Sequence, residues 1–546
     1  MFIYDTTLSR SEAESPVQST NVSPPVSSDT DALTPAEKSV ALNRPLLIAG
    51  MILATALSAL DATIVATALP SIVGVLGGLP LYSLVISGFL LTATTTVPLY
   101  GKLSDIYGRK PVFMIGAGIF IVGSALCGLA WDMPSLILFR AVQGVGAGCV
   151  LPISLTIIGD LFDVEERAKL QGVFGAVWGV SSVAGPLVGG AIVQFADWRW
   201  VFFINVPVGI ISALLIFLYL REPHIHTRQR VDIAGAITLT FGVALVLVGL
   251  QSGSRGGGWT APLTLLTWAG AVLLLALFVF FERRAPAPIL SLDLLSRPII
   301  AVPCLAGLLS GGVLIGFSAY VPLLVQGSWG GTPIEAGLIL APLSIGWPLT
   351  SSQTGKLIRR FPYRSLVIGG TLLIVFGTLL LLSVVLPMVA SSFILRNAAI
   401  IMGGFTAGLG FGFSTSAMLI AVQISVPWRE RGISTASVQF FRNMGNTIGA
   451  SVLGAVLTAT LAPVLASDRL QQLVAQMPAN ALAEGADPAL GPVNALVNLT
   501  VRDTLPLATR TALADALSGS LGWVYLGTAL FAVTGALIAS RFPREV

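Results

Sequence analysis

From Leu46 onward the chain reads as long apolar runs separated by short connections that hold Gly, Pro or charge. Fourteen runs reach the length of roughly 20 residues that a helix needs to cross a bilayer. They cover 46–69, 82–101, 111–131, 135–159, 170–194, 200–220, 231–251, 262–281, 298–326, 334–355, 364–387, 397–424, 432–463 and 518–540. Ahead of them, residues 1–42 are rich in Ser, Thr, Pro, Asp and Glu and carry no apolar periodicity, which predicts a disordered tail. That stretch lacks the basic start, apolar core and small-residue cleavage site of a secretory signal. One connection, 464–517, is long and Ala-rich, and TLPLATRTALADALSG at its end reads as helical. The expectation there is a partly ordered excursion, not a separate domain.

Composition narrows the class further. Hydrophobic residues make up 54% of the 546 residues and charged residues 10%, with a mean hydropathy of +0.87. A soluble domain carries roughly 25% charged residues, so this chain cannot clothe a water-facing surface. A soluble enzyme, a nucleic-acid module and a disordered protein are excluded, and the net charge of +4 does not call for a nucleic-acid partner. Cys127, Cys149 and Cys304 lie in apolar runs without metal or redox spacing. His224 and His226 sit in the basic stretch REPHIHTRQR with no acidic cluster; a solvated loop is the reading, and neither metal nor cofactor is expected. The 25 Arg against 5 Lys and the abundant Ala hint at a GC-rich bacterial source, although the tail would also suit a fungal protein.

Placement of charge sets the orientation. Of the 30 Lys and Arg, 22 fall in the tail, the C-terminus and the even-numbered loops, 6 in the odd-numbered loops, and Arg140 and Arg442 within spans. By the positive-inside bias both termini are cytoplasmic and 464–517 is external. The chain also repeats itself. GKLSDIYGRKP (101–111) follows the second span and GKLIRRFPYRS (355–365) the tenth, with Arg359 in place of Asp105 and Pro362 in place of Gly108. With spans 7 and 8 set aside the halves hold six spans each. The expected layout is a tail (1–42), a six-helix bundle (43–224), two linker helices (225–295) and a second six-helix bundle (296–546). Repeated halves with a substrate site between them build many secondary transporters.

Asp61 is the one acidic residue deep within a span; Asp160, Asp232 and Glu335 lie near span ends. A carboxylate in lipid costs a few kcal/mol and defaults to function, with a structural hydrogen bond to a neighbouring helix as the alternative. Arg140 is the cation of span 4, its partner either Asp61 or backbone carbonyls, with Gln143 beside it. A guanidinium keeps its proton, so Arg140 either tunes a nearby carboxylate or forms a fixed structural pair. Gly101 and Gly108 allow close helix approach and unusual backbone angles in the loop that carries Asp105, Arg109 and Lys110. Gly179, Gly185, Pro186, Gly189 and Gly190 allow span 5 to pack tightly or bend. The second half offers Tyr320, Gln326, Gln353, Gln423, Gln439, Asn443 and Asn446 as polar span residues, more often interhelical hydrogen bonds than ligands. Arg442 lies either near the membrane face or in the bundle. Trp178, Trp347 and Phe413 line a cavity or simply pack.

Five strings occur in order: LDATIVATALPSI (60–72), GKLSDIYGRK (101–110), RAVQGVGAG (140–148), GVSSVAGPLVGG (179–190) and WRWVFFINVPVG (198–209). With them the sequence resembles the major facilitator superfamily, and within it the fourteen-span drug:proton antiporters of the EmrB/QacA type, over roughly 45–465 and the last span. QFFRNMGNTIGAS (439–451) resembles the thirteenth-span string of that group. The resemblance implies an all-α membrane protein of two six-helix bundles plus two central helices. It implies proton coupling or cation recognition at Asp61 with Arg140, gating by Gly101, Asp105, Gly108, Arg109 and Lys110, and a hinge at Gly185, Pro186, Gly189 and Gly190. Substrate-binding candidates are Asp61, Gln143, Tyr320, Gln353, Gln439 and Asn443. No G-x-x-x-x-G-K-[ST] occurs, so an ion gradient is the expected energy source. The function so implied is proton-driven export of small amphipathic or drug-like molecules, by a monomer in the plasma or inner membrane, or the vacuolar membrane in a eukaryote. Transport of a defined metabolite such as basic amino acids or a lipid, and a non-transporting sensor, are the alternatives.

Overall fold

The computed structural model describes residues 40–41, 43–162, 164–222, 233–254, 259–285, 292–426, 431–477 and 491–544. The expected tail lies outside them apart from Val40 and Ala41, as do His224 and His226. Each of the fourteen apolar runs is helical. In the first part of the chain they are α1 (Arg44–Leu76), α2 (Tyr82–Tyr107), α3 (Arg109–Gly128), α4 (Met133–Leu161), α5 (Val164–Phe195) and α6 (Asn205–Tyr219). Then come α7 (Ile233–Ser254) and α8 (Pro262–Glu282). The remainder are α9 (Pro298–Ser318), α10 (Pro333–Leu357), α11 (Tyr363–Ser383), α12 (Phe393–Ser425), α13 (Arg431–Leu465) and α14 (Leu507–Ala539). Among the described residues, 12 helices have both the length and the hydropathy to cross a membrane. The other two predicted spans fall short in their apolar stretches, Gly179–Phe195 in α5 and Ala234–Leu250 in α7.

Side-chain caps start several of the helices. The Asn43 side chain accepts from the Leu46 N–H to start α1. Asp132 with Ser135, and Thr332 with Glu335, form capping boxes at α4 and α10. Two predicted spans are broken. The ninth runs on from Ser318 through the one-turn helix Tyr320–Leu323 into a π turn, Leu324–Ser328. Pro322 lacks the N–H that would bond back one turn. The sixth is split at Ile204 between Trp200–Phe203 and α6, where Pro207 removes the same kind of bond. The last helix begins at Leu507, well before the expected 518, because the helical end of the long loop is continuous with the span.

Packing separates the helices into groups. α1 packs on α4, α5 and α6, and α4 packs on α2 and α3. α9 packs on α13 and α14, α12 on α10 and α11, and α11 on α14. α5 against α10 and α2 against α13 join the groups, while α7 and α8 pair with each other and α7 rests on α2 and α13. The two ends of the bundle differ. At the end opposite the basic loops one buried cluster runs through both groups, from Ile64, Leu69 and Val73 to Phe317, Leu340 and Leu453. At the basic end there are separate clusters, one around Met51, Phe113 and Ile153, another around Val367, Met418 and Phe542. Among the described residues, the buried core is shared by the two groups at one end and divided between them at the other. Outward faces remain apolar, as with Ile210, Leu214 and Phe217 on α6 and Leu266, Val272 and Leu273 on α8. Patches of that extent belong in lipid.

The long loop is part of the closed end. Its short helix Gly491–Val497 buries Val493, Leu496 and Val497 in the shared cluster. Asn498 Nδ2 donates to the Gly74 carbonyl at the end of α1 (2.9 Å), and Arg502 donates to the Gly330 carbonyl before α10 (2.7 Å).

Candidate functional site

Four helical segments bring polar side chains to one point inside the first group. Asp61 is buried on α1, Arg140 and Gln143 are buried on α4, and Asn205 is buried at the start of α6. Arg140 Nη1 donates to Asp61 Oδ2 at 2.8 Å. Gln143 Nε2 and Asn205 Nδ2 each donate to Asp61 Oδ1 at 2.9 Å. Arg140 Nη1 also donates to Gln143 Oε1 (2.7 Å), and Asn205 Nδ2 donates to Ser124 Oγ of α3 (3.1 Å). The guanidinium lies over the Phe89 ring, 3.9 Å from its centroid. Of the two partners open to Arg140, the structure selects the carboxylate. The network is buried, and both oxygens of Asp61 have a donor, so its charge is held by hydrogen bonds as well as by the ion pair. Sequence reasoning missed Asn205 and Ser124. Asn205 stood in WRWVFFINVPVG as the one amide of an apolar string, and that was the available signal.

At the basic end, Gly108 has φ +93°, a left-handed angle that suits only glycine, and it links α2 to α3. Gly108 offers no cap of its own. Glu222 fills that role from across the bundle, accepting from the N–H groups of Arg109 (2.7 Å) and Lys110 (2.8 Å). An anion at a helix N-terminus is the favoured arrangement. Glu222 is set there by a two-residue pairing of β2 (Leu220–Arg221) with β1 (Val40–Ala41). The Lys110 ammonium sits 4.7 Å from the Phe217 ring centre. The Asp105 side chain lies outside the described residues. Gly101 departs from the expected close approach: a Cβ there would meet no atom within 4 Å, and the same is true of its repeat partner Gly355.

Three glycines of α5 are tightly packed. A Cβ at Gly185 would strike the Thr63 hydroxyl of α1, and one at Gly189 would lie 2.9 Å from the Ile64 carbonyl. On its other side, a Cβ at Gly190 would lie 2.6 Å from the Pro333 carbonyl of α10, and one at Gly337 of α10 would lie 2.5 Å from that of Pro186. This string sits where the two groups meet.

The second-half candidates part company. Tyr320 is buried, donates to the Ala450 carbonyl (3.0 Å) and ties the α9 extension to α13. Gln326 joins the groups: Ser71 of α1 donates to its Oε1 (2.9 Å) and its Nε2 donates to the Thr67 carbonyl (3.0 Å). Gln353 is exposed, and Asn443 is half-buried on α13. Gln439 lines a cavity of about 370 Å³ inside the second group, together with Trp347, Ser351 and Arg442. Trp347 stacks on Phe411 with ring centres 5.1 Å apart and planes at 15°. The Trp178 side chain lies outside the described residues.

Paired helix groups, closed at one end and split at the other around a buried ion pair and a cavity, define a multi-pass membrane transporter. The Major Facilitator Superfamily pattern matches residues 51–450, and the chain belongs to that family. It is 40% identical over 441 residues to the "Multidrug transporter protein MdtP" of Bacillus subtilis (strain 168), covering 80% of each chain. It is 35% identical over 481 residues to "Multidrug resistance protein 3" of the same organism, covering 88% of this chain and 91% of the relative. A solved structure of a bacterial homologue of the human lysosomal transporter Spinster, inward-facing and occupied, superposes with a TM-score of 0.64 at 16% identity, covering 91% of this chain and 96% of that one. That likeness concerns the fold alone.

Proposed function

We propose that the protein exports small amphipathic, drug-like molecules across the cell membrane in exchange for protons. The names of the two Bacillus relatives support drug efflux as the task. The observation that carries the coupling is the buried Asp61–Arg140 pair with its two amide donors. A proton on Asp61 cancels the carboxylate charge and leaves Arg140 uncompensated in a buried site. Such a state is costly unless the helices rearrange, because breaking a buried pair leaves one charge unpaired. Loading and unloading the proton therefore biases α1 against α4 and α6. Since α1 also carries Thr63, Ile64 and Ser71 at the contacts with α5 and Gln326, that bias reaches the junction of the two halves.

The halves 43–224 and 296–546 move against each other in this reading, with 225–295 as a lateral helix pair and the GPLVGG string as the pivot. The basic end faces the cytoplasm by the positive-inside bias, both termini lie there, and the split end is the inward-open mouth. The chain works as a monomer. Gly101, Gly108, Arg109 and Lys110 with Glu222 form the inner gate, and Asp105 belongs to the same loop.

The test is transport of ethidium in proteoliposomes under an imposed pH gradient, wild type against Asp61→Asn. The variant should stay folded and membrane-inserted yet lose uphill transport. Undiminished concentrative export by Asp61→Asn would remove Asp61 from the coupling and turn attention to Glu335 and Asp160.

A further inference from the structure

Arg442 lies on α13, in the interior of the second helix group, and lines the 370 Å³ cavity. Among the described residues no carboxylate pairs with its guanidinium, which lies over the face of Trp347, 5.6 Å from the ring centre. The sequence explains why. From Pro298 to Leu465 only Glu335 and Glu430 are acidic. Glu335 is engaged in the capping box at the far end of α10, where Thr332 donates to it at 2.8 Å. Glu430 precedes α13, and Arg442 lies about 17 Å along that helix at 1.5 Å per residue. Asp515 of α14 is exposed near the closed end.

The contrast with the first half is informative. There the intramembrane arginine, Arg140, is matched by Asp61 and sealed. Here an intramembrane arginine faces an open cavity, with no counter-ion among the described residues. An intramembrane cation calls for a counter-charge, and a guanidinium prefers a planar, two-oxygen anion. The rest of the cavity specifies the remainder of such a ligand. Trp347 stacked on Phe411 gives a flat aromatic wall. The hydroxyls of Ser351 and Ser416, 2.6 Å apart, supply polar atoms across from apolar Val313 and Phe531. The volume suits a drug-sized molecule.

We propose that this cavity is an organic-anion subsite: it takes a planar aromatic molecule bearing a carboxylate, the carboxylate on Arg442 and the ring system against Trp347. The inference rests on the efflux reading for its physiological use, and it adds acidic and zwitterionic aromatics to the substrate range. Asp61 is engaged in the other half, so the anion and the proton are handled at separate places.

The experiment measures binding to the purified protein in lipid nanodiscs, without any gradient, using pyrenebutyrate, its uncharged amide pyrenebutyramide, and ethidium. Wild type should bind the carboxylate about tenfold or more tightly than the amide. Arg442→Gln should bring the carboxylate to the level of the amide and leave ethidium unchanged, and Arg442→Lys should keep most of the preference. Equal binding of carboxylate and amide by the wild type overturns the proposal, whatever the variants do. So does a uniform loss of all three ligands in Arg442→Gln with no rescue in Arg442→Lys. Failure of ethidium efflux in proteoliposomes, with the carboxylate preference intact, would instead sink the efflux reading and leave the subsite standing.

Discussion

Asp61 receives hydrogen bonds from Arg140, Gln143 and Asn205 within 2.9 Å, and each donor comes from a helix other than α1. Such a carboxylate is at once a charge site and a clasp holding α1, α4 and α6 together. Removing one neutral donor separates the two roles. Asn205→Ala should lower the stability of the folded protein by about 1.5–3 kcal/mol, the worth of a hydrogen bond to a charged group, while the ion pair persists and uphill transport is weakened but present. Unfolding in detergent, followed by heat or denaturant, measures the first; a variant as stable as wild type would mean that Asn205 is a bystander. Asp61 and Arg140 were legible in the sequence because charge inside an apolar run is rare. Asn205 was not, since an amide near a span end carries no such contrast and its role depends on where α6 is docked. Glu222 was hidden for the same reason: nothing in its local sequence says that it caps α3.

Among the helices, the glycines divide by use. Gly185, Gly189 and Gly190 of α5 are hemmed in by neighbours, whereas Gly101 of α2 and Gly355 of α10, the openings of the two repeated loops, face empty space. Their spacing in the repeat marks them as equivalent, and the split basic end explains why both are uncovered. Closing that end would bring helices onto them. Gly355→Leu should therefore be accommodated in this conformation and slightly favour the helix, by about 1 kcal/mol on propensity, yet slow turnover. A melting temperature at or above wild type together with a several-fold fall in ethidium transport is the expected pair of results. Wild-type turnover would show that nothing docks on Gly355 during the cycle. The GPLVGG string, by contrast, is already packed on both sides, which its glycine content allowed but could not by itself specify.

For the molecule as a whole, the closed end decides which state this is. Ser71 and Gln326 meet there across the two groups at 2.9 Å, with Gly491–Val497 packed over them into the same cluster. Cysteines introduced together as Ser71→Cys and Gln326→Cys should cross-link on oxidation in the absence of substrate, stop transport, and recover with reductant. The native Cys127, Cys149 and Cys304 are buried and leave the background quiet. Free transport by the cross-linked protein would mean that this contact need not open.

Hydrophobic patterning alone located every long helix to within a few residues at most ends, because a lipid-spanning helix needs a run of roughly 20 predominantly apolar residues, and charge is concentrated in the connections. The ordered motif strings likewise identified the superfamily. Tertiary structure decided the rest. It broke the ninth and sixth spans beside Pro322 and Pro207, and it extended α14 back to Leu507. It brought Asn205 to Asp61 and Glu222 to α3, and it left Arg442 facing a cavity with no carboxylate paired to it among the described residues. Those outcomes depend on which helix faces which, a matter of side-chain packing between segments hundreds of residues apart, and no local pattern encodes it.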